Sequence, residues 1–83
     1  MSKVQIYTTT WCPYCDAAKA MLEDKGVAYD EIDVTDQESR LAMAERAHGR
    51  RTVPQIFVGN THLGGYDEMA SLERGGELDR LLI

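Results

Sequence analysis

Cys12 and Cys15 are the only thiols in the 83-residue chain, and Pro13 and Tyr14 separate them. Cysteines at that spacing close a structural disulfide, hold half of a zinc site, or exchange electrons as a redox pair. A secreted disulfide scaffold of this size would carry more cysteines. A structural zinc needs four ligands; His48 and His62 complete the number but not the close spacing of paired zinc histidines. Redox exchange remains, in which a thiolate attacks a disulfide sulfur and a second thiol displaces what has been captured.

Position divides the labour between the two sulfurs. Pro13 suits the first turn of a helix, where its missing N–H is harmless, so Cys12 stands at the N-cap. Unpaired backbone N–H groups and the positive end of the helix dipole favour an anion there. A sulfur at that cap is favoured as the thiolate over a free cysteine, whose pKa is about 8.5. Cys15 falls inside the first turn, expected to be buried, and shares a face with Cys12 within disulfide reach. The spacing predicts Cys12 as the attacking sulfur and Cys15 as the resolving one.

The elements that must hold this pair can be read outward from it. Val4-Gln5-Ile6-Tyr7-Thr8 alternates and is rich in β-branched and aromatic residues, a strand pattern. Thr9-Thr10-Trp11 makes a loop, and Ala17, Ala18, Ala20, Met21 and Leu22 carry a helix that Gly26 stops. Residues 28–34 read as a second strand anchored by Tyr29 and Ile32. Thr35 or Asp36 caps a second helix, with Leu41, Met43, Ala44 and Ala47 as its buried candidates and Gly49 at its end. Gln55-Ile56-Phe57-Val58 is a short apolar strand, Gly59-Asn60 a hairpin signal, and Thr61-His62-Leu63 the returning strand. Residues 67–74 read as a short helix, and 77–82 as a last helical turn or two with Leu78, Leu81 and Leu82 facing inward. The order β-α-β-α-β-β-α joins a βαβ unit with parallel strands to a hairpin. It predicts an α/β fold, a mixed four-stranded sheet with helices on both faces.

Length and composition set the outer bounds. Eighty-three residues make one domain, 1–83, with a small core. A hydrophobic fraction of 43% and a charged fraction of 28% are those of an ordinary folded domain. No apolar run approaches the ~20 residues of a membrane helix. The start of the chain shows neither a signal core nor an Arg-rich transit helix. The net charge of −5 gives no global footprint for nucleic acid or anionic membranes. One local exception is the basic run Arg46, His48, Arg50 and Arg51, a candidate anion site in an acidic chain.

Three motifs, in this order and spacing, resemble the short dithiol bacterial type of the glutaredoxin family: Cys12-Pro13-Tyr14-Cys15, Thr52-Val53-Pro54-Gln55-Ile56-Phe57, and Gly64-Gly65-Tyr66-Asp67. The likeness runs over nearly the whole chain. It implies the thioredoxin fold, in agreement with the element order. It implies a cis Val53–Pro54 bond that turns the Val53 backbone toward the sulfurs, where it pairs with an extended thiol peptide like a rung of sheet. It implies glutathione as co-substrate, with no organic cofactor and no metal. The γ-glutamyl carboxylate would meet backbone N–H groups after Gly65, at Asp67 and Glu68. Glu68 or Asp67 would take the ammonium group. Arg51 would take the glycyl carboxylate, with Arg50 and Gln55 as weaker candidates. Tyr14 and Thr52 would line the same groove.

The chain departs from the family at three places. Thr8-Thr9-Thr10-Trp11 lacks the cation many members carry before the first cysteine. Trp11 replaces a small polar residue, positioned to stack over the groove or shield Cys12. Glu68 stands where Asp is usual. The resemblance implies reduction of protein disulfides and protein–glutathione mixed disulfides, with ribonucleotide reductase suggested as one acceptor. A cytoplasmic monomer is expected. Two rivals share the fold: a redoxin of the NrdH kind served by thioredoxin reductase, and a carrier in which two chains and two glutathiones hold an iron–sulfur cluster. The groove residues argue against the first, and the stiffening Pro13 against the second.

Overall fold

A computed structural model describes residues 3–82 of the chain. Met1, Ser2 and Ile83, the outermost residues of the single domain expected over 1–83, lie outside the described residues. The elements are β1 (Val4–Thr8), α1 (Pro13–Asp24), β2 (Asp30–Asp33), α2 (Gln37–Arg46), β3 (Gln55–Val58), β4 (Thr61–Gly64), α3 (Tyr66–Arg74) and α4 (Leu78–Leu82). The sheet runs β2-β1-β3-β4. β1 pairs parallel with β2 and antiparallel with β3, which turns back antiparallel into β4. This is the mixed four-stranded sheet expected, and β1 at its centre delivers the chain directly to Cys12.

Alternation along the central strands sorts the two faces. Val4 and Ile6 of β1 and Ile56 and Val58 of β3 point to one side, where Ala18 and Leu22 of α1, Met69 of α3, and Leu78 and Leu82 of α4 complete the core. Gln5, Tyr7 and Phe57 point to the other side, which α2 covers. Phe57 meets Tyr7 edge-on with centroids 5.6 Å apart. The Arg46 guanidinium lies 3.9 Å from the centre of the Phe57 ring. It also donates to Gln5 Oε1, the Tyr7 hydroxyl and the Gly59 carbonyl. Arg46 is therefore structural, and the basic run is not one unit.

Several local expectations are corrected. β2 is shorter than 28–34: only Asp30–Asp33 runs in register with β1, and the Val34 N–H closes the pairing on the Thr8 carbonyl at 2.8 Å. α3 starts at Tyr66 rather than at residue 67, because Gly65 supplies the extended cap. Leu41 and Leu81 are exposed. Met43, Ala44 and Ala47 define the buried face of α2, and Leu41 stands roughly 115° off its centre at about 100° per residue. Leu78 and Leu82, four apart, share a face that Leu81 leaves. Asp36, not Thr35, caps α2, its carboxylate accepting from the Ser39 N–H at 2.8 Å. Among the described residues no helix is long and apolar enough to cross a membrane.

Candidate active site

β1 ends at Thr8, and α1 begins at Pro13 with Cys12 as its N-cap, in extended backbone (φ −123°, ψ 98°). The Cys15 N–H, an amide with no helical carbonyl to reach, donates to Cys12 Sγ at 3.2 Å. The Cys12 thiol in turn donates to the Val53 carbonyl at 3.8 Å. Cys12 is half-buried and Cys15 is 1% exposed. Burial, and then the hydrogen bond with Cys12, pushes the Cys15 thiol up to about 12. One sulfur is open to a substrate and held by an amide that favours negative charge; the other is sealed as a thiol beneath it.

Beside this pair lies a groove of about 190 Å³ lined by Tyr14, Arg50, Thr52, Val53, Pro54, Gly65, Tyr66, Asp67 and Glu68. The Val53–Pro54 peptide is cis. The Glu68 carboxylate folds back to accept the Gly65 N–H at 2.6 Å and pairs with Arg50 at 3.0 Å. The Gly65 N–H first, and Arg50 second, hold that carboxyl below the usual glutamate range. Gly64 allows this approach. Its φ is +107°, and a Cβ there would come within 2.6 Å of Glu68 Oε1. The N–H groups of Tyr66, Asp67 and Glu68, the first turn of α3, have no intrahelical acceptor and present a partial positive charge.

Most residues singled out from the sequence converge here: Cys12, Cys15, Tyr14, Thr52, Val53, Pro54, Gly65, Asp67 and Glu68 lie in the pair or the groove wall. Arg51 does not. Arg50, Thr52, Val53 and Pro54 line the groove, and Arg51 alone in that stretch does not. The Arg51 carbonyl instead accepts from Arg40 Nε at 2.8 Å. Glu68 is committed to capping and to Arg50, which leaves Asp67, in no ion pair among the described residues, as the free carboxylate. Trp11 neither stacks over the groove nor shields Cys12: it is 97% exposed and absent from the lining.

Gln55 is buried rather than a ligand. Its Nε2 donates to the Thr52 carbonyl and hydroxyl, and its Oε1 meets His62 Nε2 at 2.6 Å. It fixes Thr52 from behind. Tyr66 was missed as a wall residue; its ring stands 6.0 Å from that of Tyr14. Its place between Gly65 and Asp67 was the available signal. His48 and His62 face each other at 3.3 Å through Nδ1. Burial first, then the neighbouring His48, pulls His62 below the ordinary histidine range. No group of three or more His, Cys, Asp or Glu among the described residues is placed to hold a metal.

A helix-capping, half-exposed thiol above a buried one, on a mixed four-stranded sheet with a cis proline opposite, defines a thioredoxin-fold dithiol oxidoreductase. The chain belongs to the glutaredoxin family, whose model matches residues 4–63. It is 50% identical over 82 residues to the glutaredoxin of Pseudomonas aeruginosa, covering 99% of this chain and 98% of that one. It is 43% identical to glutaredoxin 3 of Escherichia coli, covering 99% of both. The solution structure of glutaredoxin from Brucella melitensis superposes with a TM-score of 0.87 at 51% identity, over 99% of this chain and 89% of that one. The crystal structure of a buckwheat glutaredoxin–glutathione complex does so with a TM-score of 0.87 at 28% identity, over 98% and 76%.

Proposed function

We propose that this protein uses glutathione to reduce protein–glutathione mixed disulfides and protein disulfides through Cys12, with Cys15 as the resolving thiol. The observation that carries this reading is Cys12 Sγ, set between the Cys15 amide and the Val53 carbonyl at the edge of the groove. Glutathione carries two carboxylates and one ammonium, and the groove offers matching groups. The free amides of α3 suit the γ-glutamyl carboxylate and Asp67 its ammonium. Arg50, rather than Arg51, is the groove cation and suits a carboxylate. The Val53 backbone suits the peptide between. The similar buckwheat protein, solved as a glutathione complex, supports glutathione as the ligand.

In the first step Cys12 thiolate attacks the glutathione sulfur of a mixed disulfide. The Cys12–glutathione S–S bond forms, the old S–S bond breaks, and the protein leaves as a thiolate that takes up a proton. A second glutathione thiolate then attacks the bound glutathione sulfur, releasing Cys12 thiolate and oxidised glutathione. With a protein disulfide, Cys12 forms a mixed disulfide with one protein sulfur. Cys15 gives up its proton, attacks Cys12 and frees the second protein thiol; two glutathiones reduce the resulting Cys12–Cys15 bond. Glutathione is a co-substrate, and the steps use no other cofactor.

The test is a coupled assay with a small glutathione mixed disulfide and NADPH, run either with glutathione and its reductase or with thioredoxin reductase. Turnover is expected only in the glutathione arm. Cys12→Ser should abolish it, while Cys15→Ser should keep deglutathionylation and lose protein-disulfide reduction. Full activity of Cys12→Ser, or turnover confined to the thioredoxin reductase arm, would refute this reading.

A further inference from the structure

Trp11 and Tyr14 are the two most exposed large apolar side chains among the described residues, at 97% and 63%, and they flank Cys12. Tyr14 belongs to the groove wall; Trp11 does not. The Trp11 backbone sits at φ +59°, a left-handed conformation that is costly for a bulky residue and that accumulates at functional sites. An indole that packs against nothing gives the fold nothing in return for that cost.

The loop carrying Trp11 leans on the turn that leads into α2. The Thr10 N–H donates to Thr35 Oγ1 at 3.3 Å, and the two threonine hydroxyls lie 3.1 Å apart. That turn holds two exposed carboxylates. Asp33 accepts from the Thr35 N–H through Oδ1, and Asp36 from the Ser39 N–H through Oδ2. Neither carboxylate is in an ion pair among the described residues. The mouth of the site is thus divided. Arg50 stands in the glutathione groove, while the Trp11 side pairs an exposed indole with unpaired negative charge.

We propose that Trp11, with Asp33 and Asp36, forms the docking surface for the polypeptide half of the substrate, and that it selects segments with Arg or Lys beside the disulfide-bonded cysteine. A cation over the indole face gains from the ring quadrupole, and the carboxylates complete the recognition. Glutathione occupies the groove, and the leaving polypeptide passes on the Trp11 side. This proposal rests on the disulfide-exchange reading above and adds the selection of the protein partner.

Two synthetic peptides test it, each with one glutathionylated cysteine, flanked by Arg and Lys in one and by Glu in the other. The wild-type protein should show a kcat/KM at least fivefold higher for the basic peptide. Trp11→Ala should lower that value about five- to tenfold, the size of one exposed cation–π contact with an ion pair. It should leave the mixed disulfide of glutathione and 2-mercaptoethanol within twofold. Asp33→Asn with Asp36→Asn keeps the side-chain cap on α2, since Asn caps as well as Asp, and should bring the two peptides to equal rates. Equal rates with the wild type, or an equal loss on the small substrate in Trp11→Ala, would overturn the docking surface.

A second measurement stands apart from glutathione chemistry. Trp11 is the only tryptophan, so its emission reports this surface alone. The same peptides, unglutathionylated and activated as 2-pyridyl disulfides, can be trapped on Cys12 of the Cys15→Ser protein. The basic peptide should shift the emission to shorter wavelength and the acidic one should not. Identical spectra would refute the contact even where the glutathione assays succeed. Loss of turnover on the small mixed disulfide by the wild type would instead count against the function proposed above.

Discussion

Cys12 and Cys15 have the same side chain one helical turn apart, and their surroundings differ. Cys12 has a solvent path and an amide donor; Cys15 is buried and held as a thiol, its pKa pushed up to about 12. In the captured intermediate Cys12 sulfur is tied in a disulfide, so its own influence on Cys15 changes, but burial, the largest cause, stays. The Cys15 thiolate fraction then grows about tenfold per pH unit below its pKa. Release of a protein substrate by Cys15 should accelerate steadily from pH 7 to 9 in stopped-flow traces, and a flat profile would contradict the burial argument. Attack by glutathione on the same captured state in Cys15→Ser should lack that Cys15-dependent slope. A second residue-scale prediction separates the two arginines. Arg50→Ala should raise the KM for glutathione about fivefold, the equivalent of roughly 1 kcal/mol from a half-exposed ion pair. Arg51→Ala, outside the groove, should change it less than twofold; the reverse order in the same assay would return Arg51 to the site.

At the scale of elements, two helix N-termini are aimed at one mouth. α1 offers its first amides to a sulfur, and α3 offers its first amides to the groove. Both are held by short-range devices: Pro13 at the start of α1, and Glu68 reaching back to the Gly65 N–H at the start of α3. Gly64→Ala is therefore predicted to act twice. A side chain at φ +107° costs about 1–2 kcal/mol, and its Cβ displaces the Glu68 carboxylate from its cap. The denaturation midpoint should fall and the KM for glutathione should rise together; a fall in stability with unchanged KM would separate the cap from the groove. Element type and order were legible because each carries a local signal: β-branched alternation in β1, Pro13 after the cap, Gly59-Asn60 between β3 and β4. Edges were less legible, since β2 is bounded by the reach of β1 rather than by its own residues. In the site, the half-exposed cap position of Cys12 and the burial of Cys15 followed from helix geometry alone. That Arg50 lines the groove and Arg51 does not was hidden, because it depends on how the chain turns between α2 and β3. The turn of Glu68 onto its own helix was likewise hidden, since a Glu at that position reads equally as ligand or as cap.

For the whole molecule, net charge and specific contacts make opposite forecasts for acid. The chain carries −5 at pH 7 and a pI near 4.8, so repulsion declines as pH falls from 7 and, taken alone, would raise stability. The individual groups argue the other way. Glu31 is depressed by the Thr8 hydroxyl and then Lys19, Asp36 by the Ser39 N–H, and Glu68 by the Gly65 N–H. A carboxyl depressed in the folded state contributes stability that is present above its unfolded pKa and is lost as pH falls through the folded value. His62 is also depressed, by burial, so the unfolded chain binds its proton first and stability declines from near pH 6.5 downward. Lys19 is raised, chiefly by Glu31, and Lys25 by Asp79 and Glu73; both contribute below the ordinary lysine value and are lost as pH climbs through the folded one. Salt decides between the two forecasts. At 0.15 M the screening length is about 8 Å, which mutes the summed repulsion but not carboxylates hydrogen-bonded at 2.6–2.8 Å. The melting temperature should therefore fall on both sides of a plateau between about pH 7 and 8.5, on the acid side through 6.5 to 4 and on the alkaline side above about 9, where the unfolded chain ionises Cys15 before the folded one does. Glu68→Gln keeps an N3 side chain able to accept the Gly65 N–H but removes its titration, so the acid limb below about pH 4.5 should become shallower in that variant. A melting temperature that climbs from pH 7 to 5 would show net repulsion, not the capped and paired carboxylates, to be the governing electrostatic force in this fold.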